Sequence, residues 1–417
     1  MRDTDLYGRI LGIESPWEVT GVELRLEAGE VEVFVARGGG ESHRCPECGG
    51  AARRHDSRRR RWRHLPTCQY RTILTAEVPR VRCAEHGVRT IGVPWSDPGS
   101  RFTALFEALV IDWLGEASIS AVARLLDLSW DQVSGVMERA VQRGLERRGK
   151  APASRVLGVD ETSFQKRHEY VTVVADIEDE GRVHHVADGR GKDALSSYYE
   201  SLPEAALSKI ETVAMDMWPA YISATVSCLA EGAHKIAYDK FHVAAHLGGA
   251  VDEVRREEHR RLRSLGDEGL TDTRHLWLYH PDRVPEHRWP RFKELIDGTT
   301  KTARCWHLKE LAMMMWETRD RAEALEIFKG WYSWAIRSRL EPMKRVARMI
   351  KAHLDGVLNA IERGVTNARL EGINSVIQGL KRTARGYRNR DRFRTAIYFR
   401  LGGLDLYPDS LTFHTKP

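Results

Sequence analysis

Two pairs of metal-ligating residues constrain this chain more than any other feature. Cys45-Pro46-Glu47-Cys48 and Cys83-Ala84-Glu85-His86 each set two ligands two residues apart, and residues 49–82, 34 in all, separate the pairs. Each pair can grip one side of a tetrahedral ion from a tight turn, and Gly49-Gly50 and Gly87 supply the backbone freedom such turns need. Four protein ligands close the shell, so the spacing predicts a structural zinc held by Cys45, Cys48, Cys83 and His86. Four of the six cysteines fall in this one window, which favours metal over disulfides. Cys68 lacks a partner at ligand spacing and reads as packing. The alternative for His86 is a surface histidine beside Gly87.

Strand-period alternation in WEVTGVELRL and EVEVFVAR, with Ala28-Gly29 at the turn, predicts a strand pair over 15–37. Between the ligand pairs, residues 53–63 hold seven arginines and one acid, with Trp62 among them. At the tip of a ribbon, Arg58, Arg59, Arg60 and Arg61 would contact DNA phosphates and release counterions; the bland alternative is a solvated face. Residues 103–147 read as helical. Ser118 can cap SISAVARLL, Asp127-Leu128 breaks it, and Ser129 with Gln132 is a capping box that starts a second helix. Ile119, Val122, Leu126, Leu128, Val133 and Val136 fit two helices packed across a tight turn. As a DNA reader, the second helix would enter the major groove by its first turn, with Gln132 and Ser134 toward bases and Arg139 toward phosphate. As packing alone, such a pair is common in helical domains.

Lys150–Ser154 reads as a linker, after which the hydrophobic period changes. RVLGVDETSF, YVTVVADIE and RVHHVADG are three successive strand candidates. GKDALSSYYESL then reads as a helix, IETVAMDMW as a strand, PAYISATVSCLAEG as a helix and HKIAYDKF as a strand. Three sequential strands followed by alternating helices and strands fit an RNase H-like sheet. A long charged helix starts at His242, residues 265–360 are mostly helical without an assignable motif, and a helix resumes over Thr366–Tyr387. At 417 residues several domains are expected. The chain reads as multidomain α+β: a strand pair (1–40), a zinc-binding ribbon (41–95), a helix-turn-helix domain (96–150), an RNase H-like α/β domain in two parts (151–246 and 361–417), and an α-helical insertion between them (247–360).

Asp160 follows three apolar residues in VLGVDETSF, and Asp216 ends the strand in TVAMDMW. In open α/β sheets, chemistry gathers at strand ends. Leu370, Ile373, Ile377 and Leu380 form an apolar helical stripe, with Asn367, Glu371, Asn374, Gln378, Lys381 and Arg382 beside it. A solvent-facing rim accounts for the charges, but less well for Asn and Gly, which lower helix propensity. Two strand acids and a helix acid suit two divalent ions, Mg²⁺ or Mn²⁺, which activate a water or 3′-hydroxyl for in-line displacement at phosphorus. Taken one at a time, each acid reads more readily as surface charge.

The order of the pieces is zinc ribbon, helix-turn-helix, Gly158-Val159-Asp160-Glu161, Asp216-Met217-Trp218-Pro219 with Tyr221, Asp239-Lys240-Phe241-His242, and Asn367 through Tyr387. Over roughly residues 40–400 this order resembles the ISL3 family of bacterial insertion-sequence transposases. The resemblance implies that the RNase H-like domain is catalytic. It also implies a DDE transposase that binds the element's terminal inverted repeats and performs metal-dependent strand cleavage and strand transfer. Asp160, Asp216 and Glu371 match the family's catalytic acids and would hold Mg²⁺. Asp239, His242, Asn367 and Asn374 are supporting candidates; Asp239 reads also as a structural cap and His242 as a packed histidine. Lys381, Arg382, Arg385 and Arg388 continue from the Glu371 helix toward the DNA backbone. The implied partners are duplex DNA, as element ends and target, and further copies of the chain, because synapsing two ends takes at least a dimer.

The net charge of +6 and pI of about 9.0 agree with a nucleic-acid partner. No apolar run reaches membrane-spanning length and MRDTDLYGRI has no apolar core, so a cytoplasmic protein, nucleoid-associated when bound to DNA, is expected. Two rival readings stand beside this one. A non-catalytic DNA-binding regulator would not need three acids intact in their motifs. An RNase H-like nuclease acting on junctions or hybrids would not need the N-terminal duplex-binding modules.

Overall fold

A computed structural model describes residues 2–38, 43–149, 154–165, 169–178, 181–366 and 368–413. It divides into two compact units: Met1–Gly149 with Tyr398–Pro417, and Lys150–Ile397.

The first unit is built on β1 (Trp17–Arg25), β2 (Glu30–Arg37), β3 (His43–Arg44), β4 (Ala51–Thr67), β5 (Tyr70–Cys83) and β6 (Gly87–Thr90). They form one sheet in the order β1-β2-β5-β4-β3, with β6 also on β5. The expected strand pair is β1–β2, closed by a turn in which Gly29 takes φ +63°. It is continuous with the ribbon, because β2 runs parallel to β5 from Glu30↔Arg71 to Val35↔Ala76. Val31, Val33 and Val35 supply the apolar face that joins Leu74, Ala76 and Val78 in one core. Trp17 and Trp62 both pack edge-on against Trp95, at centroid distances of 5.0 and 5.5 Å. The arginine run lies along the 17-residue β4 and not at a hairpin tip, which falls at Thr67–Tyr70.

Three helices follow, Ala104–Glu116, Ile119–Leu126 and Trp130–Arg148. The expected caps are present. Ser118 Oγ accepts from the Ala121 N–H, and Ser129 and Gln132 exchange hydrogen bonds of 3.2 and 2.8 Å. The chain returns to this unit near its end: Leu404 packs on Gly144, where a Cβ would come within 2.7 Å, and Arg143 donates to the Leu406 carbonyl at 2.6 Å. The described residues from Tyr398 to Phe413 therefore belong to this first compact unit.

The second unit holds β7 (Val156–Gln165), β8 (Glu169–Asp176), β9 (Val183–Asp188), β10 (Thr212–Met215) and β11 (Ile236–Tyr238). Their order is β11-β10-β7-β8-β9. β7, β8 and β9 form an antiparallel meander, while β10 and β11 run parallel on the other side of β7. This is the RNase H-like arrangement expected from the sequence. Leu157 and Val159 are buried with Val213 and Met215. Gly158 lets the Ala368–Thr383 helix approach: a Cβ there would lie 3.2 Å from Leu370 and 2.7 Å from Ile177. Between β11 and that helix the chain is almost all helical, from Lys240–Arg263 to Leu354–Arg363. Its Trp277, Phe292, Trp306 and Trp331 share one continuous core with the sheet. No helix among the described residues is long and apolar enough to cross a membrane.

Candidate functional site

The turns before β4 and after β5 bring the four predicted zinc ligands together. Among the described residues, Cys45, Cys48, Cys83 and His86 are the only such group whose ligand atoms all lie within 4.8 Å of one another. Cys48 Sγ lies 3.7 Å from Cys83 Sγ, and His86 Nδ1 lies 3.6 Å from Cys83 Sγ and 3.8 Å from Cys45 Sγ. These are tetrahedral edges, since Zn–S bonds of about 2.3 Å subtend S···S separations of about 3.8 Å. Gly49 and Gly87 close the turns at φ +70° and +69°. The His86 N–H, the His86 ring and the Glu85 N–H bring the Cys83 thiol down to about 6, toward the thiolate that a metal requires. Glu47, itself held by Arg89, stands 3.6 Å from His86 Nε2 as an outer carboxylate. The donor set fits a structural zinc. Cys48→Ser is expected to cut bound zinc from about one ion per chain to below about 0.2, because metal binding and folding of such a ribbon are one equilibrium. Metal analysis and hydrogen exchange check this: protection should fall in the ribbon and persist in β7–β10. Full zinc retention by both Cys48→Ser and Cys83→Ser would refute the ligand set.

In the second unit, strand register brings three acids into a row. β10 pairs with β7 as Thr212↔Val156, Val213↔Leu157 and Ala214↔Gly158, so two steps on, Asp216 comes level with Asp160. β11 pairs with β10 up to Tyr238↔Met215, so Asp239 comes level with Asp216; its N–H donates to the Met215 carbonyl at 3.2 Å. Asp160 is not a strand-end acid, since β7 continues to Gln165. What ends is its neighbour: past Gly158, β7 has no pairing partner on the β10 side.

Burial pushes the Asp160 carboxyl up to about 6, countered by the Glu161 N–H and reinforced by the Glu161 charge; His242 lowers it and Asp216 raises it. Burial also raises Asp216, against His242, the Trp218 N–H, Arg190 and His246. Glu161 is raised by burial and then by Asp216, and its Oε1 lies 3.6 Å from Arg190. Strand alternation predicts that Glu161 faces away from Asp160. It nevertheless senses Asp216, because Asp216 stands past the end of β10, where no strand separates the two faces. Such crowding costs stability. A carboxyl that titrates near 6 folded against 3.8 unfolded binds its proton more tightly in the folded state. Stability is then greatest below about pH 4 and falls as pH rises through 6, by at most about 3 kcal/mol. Without added Mg²⁺ or Mn²⁺, Asp160→Asn is expected to raise Tm by several degrees at pH 8 and not at pH 4, at roughly 2–4 °C per kcal/mol. Calorimetry showing no pH dependence of that difference would refute the crowding.

The Ala368–Thr383 helix lies along β7. Asn374 Nδ2 donates to Asp160 Oδ2 at 2.7 Å, Gln378 Nε2 to Thr162 Oγ1 at 2.6 Å, and Lys381 Nζ to Ser163 Oγ at 3.0 Å. These residues share one helix face. Burial lowers the Lys381 ammonium. Glu371 stands three residues before Asn374, in the first turn, and is exposed. The helix is therefore registered on Asp160, while the Glu371 carboxylate stays outside the buried pair. Asn367 lies outside the described residues. His242, half-buried in the first turn of the Lys240–Arg263 helix, places its charge near both aspartates.

The predicted DNA-contact residues divide. Arg58 is exposed, as are Arg382, Arg385 and Arg388. Arg59 and Arg61 are exposed too and lie 3.7 and 3.6 Å from the buried Glu32, while Arg60 donates to the Ser100 carbonyl and covers Trp62. Gln132 is exposed but gives its carbonyl oxygen to the capping box. Two expectations need correction. Ser134 is buried and donates to Glu138 at 3.0 Å, so its hydroxyl points away from any groove. Arg139 is taken up by the buried Glu107, which Arg143 also holds at 3.2 Å. An acid withdrawn from water demands such cations.

Comparisons with known proteins agree with this layout. The model of the zinc-finger of transposase IS204/IS1001/IS1096/IS1165 matches residues 41–86, and that of the helix-turn-helix domain of transposase family ISL3 matches residues 93–141. The ISL3 model described as a transposase matches residues 157–397. The transposase for insertion sequence element IS1001 of Bordetella parapertussis is 29% identical over 355 residues, 84% of this chain and 86% of that protein. The transposase for insertion sequence element IS1557 of Mycobacterium tuberculosis is 27% identical over 419 residues, 93% of each chain. The transposase match alone spans more than half of the chain and the other two precede it in the order the fold displays, so this chain belongs to the ISL3 family of transposases, enzymes that bind DNA and cut and join its strands.

Proposed function

We propose that the chain binds the terminal inverted repeats of an insertion sequence and cleaves and transfers their strands by a DDE mechanism, with Asp160, Asp216 and Glu371 as the acids. The observation that carries this reading is the register row that sets Asp160 level with Asp216, with Asn374 tying the Glu371 helix to Asp160. The donor set fits Mg²⁺ or Mn²⁺: hard carboxylate oxygens, crowded and desolvated, call for a divalent cation. When bound, the metal would supply Lewis-acid activation and charge neutralisation at phosphorus. Asp160 and Asp216 would hold it from the sheet and Glu371 from the helix. Asn374 fixes the Asp160 carboxylate in one orientation. Asp239 and His242 support the row from the β11 side.

Lys381 braces the helix on β7, leaving Arg382, Arg385 and Arg388 free to meet the DNA backbone. Arg58, Arg59, Arg61 and Gln132 are the duplex contacts we retain in the first unit, which we assign to end recognition. Synapsis of two ends requires at least a dimer, and the chain would act in the cytoplasm on nucleoid DNA.

The test is direct. The protein is incubated with a duplex carrying its element's end, a scrambled duplex, and each with Mg²⁺ or EDTA. Nicking at the element boundary, followed by joined products, is expected only with the true end and Mg²⁺. Equal cutting of the scrambled duplex defeats end recognition, and cutting in EDTA defeats the metal mechanism.

A further inference from the structure

One cation stands at the edge of the acid row. Arg190 follows β9 in Gly189-Arg190-Gly191. Its guanidinium carbon lies over the Tyr170 ring at 4.5 Å from the centroid and over the Trp218 ring at 4.7 Å. Trp218 is itself fixed, since its indole N–H donates to the Arg190 carbonyl at 2.9 Å and its backbone N–H donates to Asp216 Oδ1 at 3.2 Å. Rings stacked on a guanidinium leave its in-plane N–H donors as the groups that can reach a partner. One of these meets Glu161 Oε1 at 3.6 Å, beyond hydrogen-bond distance. Glu161 therefore balances part of the charge without saturating a group that has five donors. The side chain is 36% exposed, so its edge is accessible.

An ordinary surface arginine swings freely and gains little from one acid. This one is held by Tyr170 on β8 and by Trp218 at the start of the Pro219–Cys228 helix, and kept beside carboxylates. Its charge lowers both Asp216 and Glu161. A planar cation clamped beside acids is arranged for an oxyanion that approaches the same acids, and phosphate oxygens match its fork geometry.

We propose that Arg190 is a phosphate-binding residue of the strand-transfer site, donating from its edge to a non-bridging oxygen of the DNA strand that lies against Asp160 and Asp216. Tyr170 and Trp218 are its positioning residues. The proposal rests on the three-acid reading of that site.

The experiment uses the full chain, an end duplex and Mg²⁺. Arg190→Ala is expected to lower the single-turnover cleavage rate by about 10²–10³-fold, as loss of one transition-state donor does. End affinity should change less than about threefold, since phosphate contacts elsewhere carry binding. Arg190→Lys keeps the charge and the fold but loses the fork, and should recover only part of the rate. A structural role could mimic these losses, so the phosphates around the junction are also replaced, one at a time, by neutral methylphosphonates. At one position the replacement should slow the wild type and add nothing to Arg190→Ala, the signature of a direct contact. Multiplying effects at every position, or an Arg190→Ala rate equal to wild type, overturn the proposal. Asp216→Asn runs alongside: if it is inactive while Arg190→Ala is normal, only this proposal fails; if it cleaves, the reading beneath it fails.

Discussion

Asp216→Asn is expected to lower strand cleavage at least about 10³-fold while end binding and folding survive, because it removes charge where metal-assisted phosphoryl transfer needs it. The asparagine amide is nearly isosteric with the carboxylate and can still accept from the Trp218 N–H, which Asp216 Oδ1 now receives at 3.2 Å. The junction between β10 and the Pro219–Cys228 helix therefore keeps its anchor. Burial already holds Asp216 above the usual carboxylate range, against the pull of His242, the Trp218 N–H, Arg190 and His246, so a neutral group relieves a desolvation cost, and Tm should stay level or rise. Loss of activity then cannot be ascribed to unfolding. End affinity should stay within about twofold or tighten, since one fewer negative charge faces the DNA backbone. Single-turnover cleavage, a binding titration and calorimetry on the same preparations check the three parts. A rate within about tenfold of wild type would remove Asp216 from the reaction, whatever the other two measurements give.

What could be read from the sequence was what is encoded locally. The zinc ligands announce themselves by two-residue spacings and glycine turns, and the structure closes all four within 4.8 Å. Ser118, Ser129 and Gln132 cap their helices as their spacing dictates. The five strands of the second sheet follow from apolar alternation, although the extent of β7 past Asp160 does not. What stayed hidden depends on partners distant in sequence. Nothing near Arg139 shows that Glu107, 32 residues away, takes its guanidinium. Nothing near Arg59 and Arg61 points to the buried Glu32 on β2. Arg190 looks like any loop arginine until β8 brings Tyr170 and the end of β10 brings Trp218. The level row of Asp160, Asp216 and Asp239 is a property of strand register, which the hydrophobic pattern alone does not set across crossover connections.

The third acid is where sequence and geometry pull apart, and two substitutions decide it. Asp239 completes the row just past the end of β11 and is 3% exposed, whereas Glu371 is exposed one turn before Asn374. Row position favours Asp239, but a row on three neighbouring strands places all ligands along one line. Acids that serve two ions must surround them, and two strands plus a facing helix do that. The Glu371 helix is already registered on β7 through Asn374, Gln378 and Lys381, and Glu371 stands in its first turn, three residues before the asparagine that meets Asp160. Asp239 has a different task open to it, since it precedes the first turn of the 24-residue Lys240–Arg263 helix, where a negative charge complements the dipole. Glu371→Gln is therefore expected to cost at least about 10³-fold in cleavage and to raise the Mg²⁺ concentration for half-maximal rate, with partial recovery in Mn²⁺. Asp239→Asn should cost less than about tenfold, leave the metal dependence in place and lower Tm by a few degrees, as loss of a helix-terminus charge does. The reverse pattern, with an inactive Asp239→Asn of altered metal dependence and an active Glu371→Gln, would move the third ligand from the helix to β11 and make the register row itself the metal site.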